Sequence, residues 1–140
     1  MDAIFYIHPF GIDPHRYRGQ ARKALLELEP KTDRIQKVLT YARRNLDRRL
    51  NIEELADVAN LSPRQFSRIF QAETGQSPAR AVEYLRLESA RAMLEESNSS
   101  LDEIARQTGF IDRERMRRAF IRTIGQPPQV IRRQVRHTEG

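Results

Sequence analysis

The chain has 140 residues, 39% of them hydrophobic; it can hold one domain or two very small ones around a modest core. No apolar run approaches the ~18 residues that would cross a membrane. The start has no n-region, apolar h-region and cleavage site of a secretory signal. There is no cysteine, which excludes disulfides and thiolate metal sites and suits a reducing cytoplasm, the expected location.

The net charge of +6 is unevenly placed. Residues 1–105 balance at 16 basic and 16 acidic, whereas residues 106–140 hold nine Arg against three acids, the whole surplus. Basic residues are 22 Arg against three Lys. Arg presents a rigid fork to phosphates and guanine edges, although an ordinary solvated face also tolerates it.

Residues 1–30 contain Pro9, Gly11, Pro14, Gly19 and Pro30 and no sustained helical period, so they read as a linker-like or flexible segment. From Thr32 onward the pattern predicts helices only, in an all-α fold. Thr32 caps a first helix with Ile35, Val38, Leu39, Ala42 and Leu46 on its apolar side. A second helix starts at Asn51, with Glu54 placed to complete a capping box and Leu55 and Val58 facing inward. The turn Ala59-Asn60-Leu61 leads to the cap Ser62 and to Pro63 at the first helical position. That third helix buries Phe66, Ile69 and Phe70.

Ser77-Pro78 opens a long helix to about Glu95, spanning ~27 Å. Val82, Leu85 and Ala92 lie on one side of it and Tyr84, Leu87 and Leu94 on another, as suits a connector. After the break Ser97-Asn98-Ser99 the pattern repeats, 49 positions on from Asn51. Ser100 and Glu103 form the second expected capping box, Gly109-Phe110 the turn, and Asp112 the cap of a helix burying Met116, Ala119, Phe120 and Ile124. Pro128 opens a last short helix with Val130, Ile131 and Val135. Glu54 to Phe70 is 16 positions and Glu103 to Phe120 is 17, so the second turn is longer or its helix starts later. The expected architecture is two helix-turn-helix units joined by a long central helix, about seven helices in all. The first unit with the connector covers 31–95, the second unit and tail 96–140.

A recognition helix buries one side and offers polar groups from its first turns on the other. In the first unit these are Arg64, Gln65, Ser67, Arg68 and Gln71. Of these, Arg64, Ser67, Arg68 and Gln71 fall at i, i+3, i+4 and i+7, one stripe. In the second they are Arg113, Glu114, Arg117 and Arg118, with Arg115 beside them. Arg matches guanine O6/N7, Gln matches adenine, and Glu accepts from cytosine N4. A solvated face explains any one of these residues as well; it explains the duplicated constellation poorly. Glu114, four residues before Arg118, can equally orient that Arg through an ion pair.

With these residues in view the chain resembles the DNA-binding domain of the AraC/XylS family of bacterial transcription regulators, over about residues 32–135. The resemblance rests on Leu61-Ser62-Pro63-Arg64-Gln65-Phe66-Ser67-Arg68-Ile69-Phe70, on Gly75-Gln76-Ser77-Pro78 with Arg86-Leu87, and on Ile104-Ala105 through Gly109-Phe110 to Phe120 and Gly125. It implies two helix-turn-helix units entering successive major grooves on one DNA face. Base contacts then fall on Arg64, Ser67 and Arg68, and on Arg113, Glu114, Arg115, Arg117 and Arg118. Pro127 departs from the Ser/Thr cap usual before Pro128, and the Arg-rich second unit cannot inherit a sequence preference. Gly19-Gln20 and Ala24-Leu25-Leu26-Glu27-Leu28-Glu29-Pro30 are similar to the linker of members with a PfpI-like, amidotransferase-type sensing domain. Such a domain needs more residues than are present, so the chain is either a piece of a longer protein or a short form.

The expected partners are double-stranded DNA and RNA polymerase, with no membrane and no cofactor. Binding is expected of the monomer, and dimerisation is left open to a longer form. The alternative is a non-specific basic helical nucleic-acid-binding or structural protein, which needs no paired caps and turns. An enzyme is not expected. His8, His15 and His137 lie outside the repeats and form no metal spacing and no nucleophile–base motif.

Overall fold

The computed structural model describes residues 32–139; the linker-like segment and the match to a sensing-domain linker lie outside them. The described residues form seven helices and no strand. These are α1 (Asp33–Arg44), α2 (Ile52–Val58), α3 (Pro63–Thr74), α4 (Pro78–Glu96), α5 (Leu101–Gln107), α6 (Arg113–Ile124) and α7 (Pro128–Glu139). They belong to two compact units that divide between Leu85 and Arg86, inside α4.

In the first unit, the Thr32 hydroxyl accepts the Ile35 N–H at 3.4 Å, starting α1, and donates to Glu73 near the end of α3. Ile35, Val38, Leu39, Ala42 and Leu46 are buried as the spacing predicts. Leu55, Phe66 and Phe70 complete this core with Ala81, Tyr84 and Leu85 from the first half of α4. The Phe66 and Phe70 rings lie 5.5 Å apart and tilted, a favoured aromatic geometry. Val58 and Ile69 are half-buried rather than sealed.

The second unit takes Leu87, Ala90 and Leu94 from the rest of α4 and packs them with Ile104, Ala105, Phe110, Met116, Ala119, Phe120, Ile124 and Ile131. The unit boundary therefore falls ten residues earlier than the expected break after residue 95. The second half of α4 is held from within its own unit. The Arg132 guanidinium of α7 donates to the Leu94, Ser97 and Ser99 carbonyls at 3.2, 3.1 and 2.7 Å. It thereby satisfies one carbonyl of the last turn of α4, at Leu94, and two of the loop that follows it. Val82 and Ala92, expected to be core-facing, are half-buried. The last helix is not short, since its 12 residues equal those of α1, α3 and α6.

Both expected capping boxes are half formed. The Asn51 side chain accepts the Glu54 N–H at 2.8 Å, but the Glu54 carboxylate turns to Tyr41 and Arg48. Ser100 accepts the Glu103 N–H at 3.1 Å, while the Glu103 carboxylate takes Arg106 and Gln107. A charged or strong hydroxyl donor outcompetes one backbone N–H for an ionised carboxylate.

Candidate nucleic-acid interface

Each unit presents a short helix, a turn and a 12-residue helix, α2–α3 and α5–α6. The turns begin alike. Asn60 and Gly109 take left-handed backbone at φ +58° and +86°. The next N–H reaches back to the preceding short helix: Leu61 to the Ala56 carbonyl at 3.0 Å, Phe110 to the Ala105 carbonyl at 2.8 Å. Gly and Asn are the residues that enter this region at least cost. The turns then part. Ala59–Ser62 separates α2 from α3, and Thr108–Asp112 separates α5 from α6, so the extra residue of the second unit lies in its turn.

The long helices are started by side chains. Ser62 accepts the Gln65 N–H at 3.2 Å, and the Gln65 side-chain oxygen accepts the Ser62 N–H at 3.3 Å. This reciprocal box gives Gln65 a capping job, which takes its carbonyl oxygen away from the adenine pairing expected of it. Asp112 accepts the Arg115 N–H at 2.8 Å. Gly75 and Gly125, at φ +76° and +90°, end α3 and α6.

On α3, Arg64, Arg68 and Gln71 are exposed and Ser67 is half-buried, on the side opposite the sealed Phe66 and Phe70. On α6, Arg113, Glu114, Arg115, Arg117 and Arg118 are all exposed, opposite Met116, Ala119 and Phe120. The packing thus brings together each predicted stripe. Glu114 sits between two cations, accepting from Arg118 at 3.2 Å and Arg117 at 3.4 Å. Arg113 lies 3.8 Å from Asp102 of α5. Exposed pairs of this kind stabilise by ~0–1 kcal/mol, so these cations can exchange partners at little cost.

In the first unit, the turn after α1 is locked to α2. Arg48 donates to both Glu54 oxygens and, at 2.6 Å, to the Tyr41 hydroxyl, which itself donates to Glu54. The Arg48 guanidinium beside Glu54, followed by the Tyr41 hydroxyl, holds that carboxyl below its ordinary value. The Tyr41 hydroxyl is pushed up, chiefly by its bond to Glu54. Sequence reasoning missed this cluster and the Arg132 clamp, since neither follows from helical periodicity. It also missed Ile111, an exposed apolar residue within the second turn, just before the Asp112 cap.

A helix-turn-helix domain profile matches residues 55–134. The XylDLEGF operon transcriptional activator 2 of Pseudomonas putida is 30% identical over 111 residues, which cover 77% of this chain and 69% of that protein. The chain belongs to the AraC/XylS family of transcription regulators. The HTH-type transcriptional regulator Rv1931c of Mycobacterium tuberculosis is 46% identical over 82 residues, 59% of this chain. The chain corresponds to about a third of the length of that relative, 32%. Among solved structures, the DNA-binding domain of AdpA, a global transcriptional factor crystallised with a target DNA, superposes with a TM-score of 0.71 at 32% identity. It covers 74% of this chain and 93% of that one. The AraC/XylS fold accounts for the two units, their repeated turns and the helix that runs from one into the other. Among the described residues no helix is long and apolar enough to cross a membrane. No group of acidic, His or Cys side chains there could hold a metal ion.

Proposed function

We propose that this chain is the DNA-reading part of a transcription regulator, and that α3 and α6 enter successive major grooves of one duplex. Base edges are read by Arg64, Ser67, Arg68 and Gln71 in the first unit. In the second they are read by Arg113, Arg115, Arg117 and Arg118, with Glu114 as a cytosine acceptor or as the residue that orients its two arginines. Gln65 serves the cap. The observation that carries this reading is the pair of exposed polar stripes, each on a capped helix after a repeated turn. The likeness to a domain solved on its target DNA supports it. A merely basic helical protein has no need of the repeated turns. The covalent pairing of two readers lets a monomer bind, in the cytoplasm, with RNA polymerase as the protein partner at the promoter and no cofactor.

The site then has two halves centred roughly 10 bp apart. Inserting five base pairs between the halves rotates one half to the far side of the duplex and should abolish tight binding; unchanged affinity overturns the two-groove reading. Arg68→Ala should cost ~1–3 kcal/mol and relax preference at one or two positions, read from a binding-site profile beside a melting curve. Binding of every sequence as before would show that Arg68 reads no base.

A further inference from the structure

The turn of the second unit holds a residue that its fold does not need. Ile111 is the one-residue excess over the first turn, and 71% of its surface is exposed, against 37% for Ile121, the other exposed large hydrophobic among the described residues. Its φ is +71°, and the Asp112 N–H bonds across it to the Phe110 carbonyl at 2.7 Å. That is a three-residue γ-turn of the rarer hand, which is strained. Left-handed backbone is a true outlier for a β-branched side chain, and Gly or Asn would sit there at less cost. The residue thus gives up backbone ease and gains no burial. Outliers of this kind cluster where a side chain is held out for use.

Two residues on, Arg113 begins the exposed cationic stripe of α6, and Asp112 between them is fixed as its cap. Ile111 therefore stands exposed two residues before that stripe, at the N-terminal end of the helix proposed to enter the groove. The chemistry on offer is a branched aliphatic tip with no donor or acceptor. In the major groove the group that matches it is the thymine C5 methyl.

We infer that Ile111 is a specificity residue of the second unit, packing its side chain on a thymine methyl at the edge of that unit's half-site. This rests on the DNA-reading proposed above. The test uses the whole chain and a site selected from random duplexes. Each thymine of the second half-site is replaced in turn by deoxyuridine, which lacks only the methyl. One replacement should weaken wild-type binding about fourfold, the value of about one buried methyl. Ile111→Gly, and Ile111→Asn in case Gly loosens the turn, should bind the thymine site about as weakly as wild type binds that uracil site and be indifferent to the replacement. Both should melt no lower than wild type, because the strain is relieved. The inference fails by itself if a site is selected but holds no thymine in that half. It also fails if no replacement matters, or if the variants remain as sensitive as wild type. A uniform loss on all sequences would assign Ile111 to the DNA backbone, and lost transcription with unchanged binding would assign it to a protein partner; either overturns the inference. If no site is selected at all, the DNA-reading proposal falls with it.

Discussion

Glu114→Gln separates the two roles of the acid in the second recognition helix. Its carboxylate, 53% exposed, lies 3.4 Å from Arg117 and 3.2 Å from Arg118, which are 49% and 66% exposed. Two such exposed helical pairs are worth ~0.3–0.5 kcal/mol each. The acid in the first turn of α6 gains a further ~0.3–1 kcal/mol from the helix dipole. The substitution should therefore cost about 1 kcal/mol, lowering Tm by ~4–8 °C in a domain of this size. Its effect on DNA should be larger and of opposite sign. The protein gains one positive charge over +6, and Arg117 and Arg118 lose their competitor for phosphate. One newly neutralised phosphate steepens the slope of log affinity against log salt by ~0.9 and raises affinity for random duplex about eightfold at 0.1 M salt. Fluorescence-anisotropy titrations of random and selected duplexes across a salt series read both quantities. If Glu114 orients Arg118 toward a base, affinity for the selected site should rise less than for random DNA, so specificity falls. An unchanged slope on random DNA would refute the argument that Glu114 holds these arginines back from phosphate.

Arg132→Met keeps the aliphatic stem and removes three charge-assisted bonds to the carbonyls of Leu94, Ser97 and Ser99. It should cost the second unit about 2–3 kcal/mol, part of the loss being recovered by water on the freed carbonyls; a melting temperature within two or three degrees of wild type would count against the clamp. The Tyr41–Arg48–Glu54 cluster makes first-unit stability depend on pH. The folded Glu54 carboxyl lies below its ordinary value, so below that value the unfolded state binds more protons. The contribution is full above the ordinary glutamate range and is lost as pH falls through and below it. Melting curves from neutral to acid pH should show a smaller acid loss for Glu54→Gln than for wild type, and equal losses would remove Glu54 from the account.

The helices were legible in the sequence because their signals are local. Apolar residues at helical spacing placed Ile35, Val38, Leu39, Ala42, Phe66, Phe70, Met116 and Phe120 in the core, and all are buried. Thr32, Asn51, Ser62, Ser100 and Asp112 each cap the helix they precede. The exposed stripes followed by subtraction, as a helix with one buried side must show its other side to solvent. Tertiary structure decided what depends on competition between groups distant in sequence. Glu54 lies at the position that closes a capping box, yet Tyr41 and Arg48 reach it, and an ionised carboxylate prefers a guanidinium to one backbone N–H. Arg132 reads as one more cation in a basic tail until packing carries it to the carbonyls of Leu94, Ser97 and Ser99, at the end of α4 and in the loop after it. The count of residues between repeats showed one extra position in the second unit but not its place. Only the backbone put it at Ile111, exposed and left-handed, because Phe110 is tied back to α5 and Asp112 is held as the cap of α6, which leaves Ile111 as the residue between them.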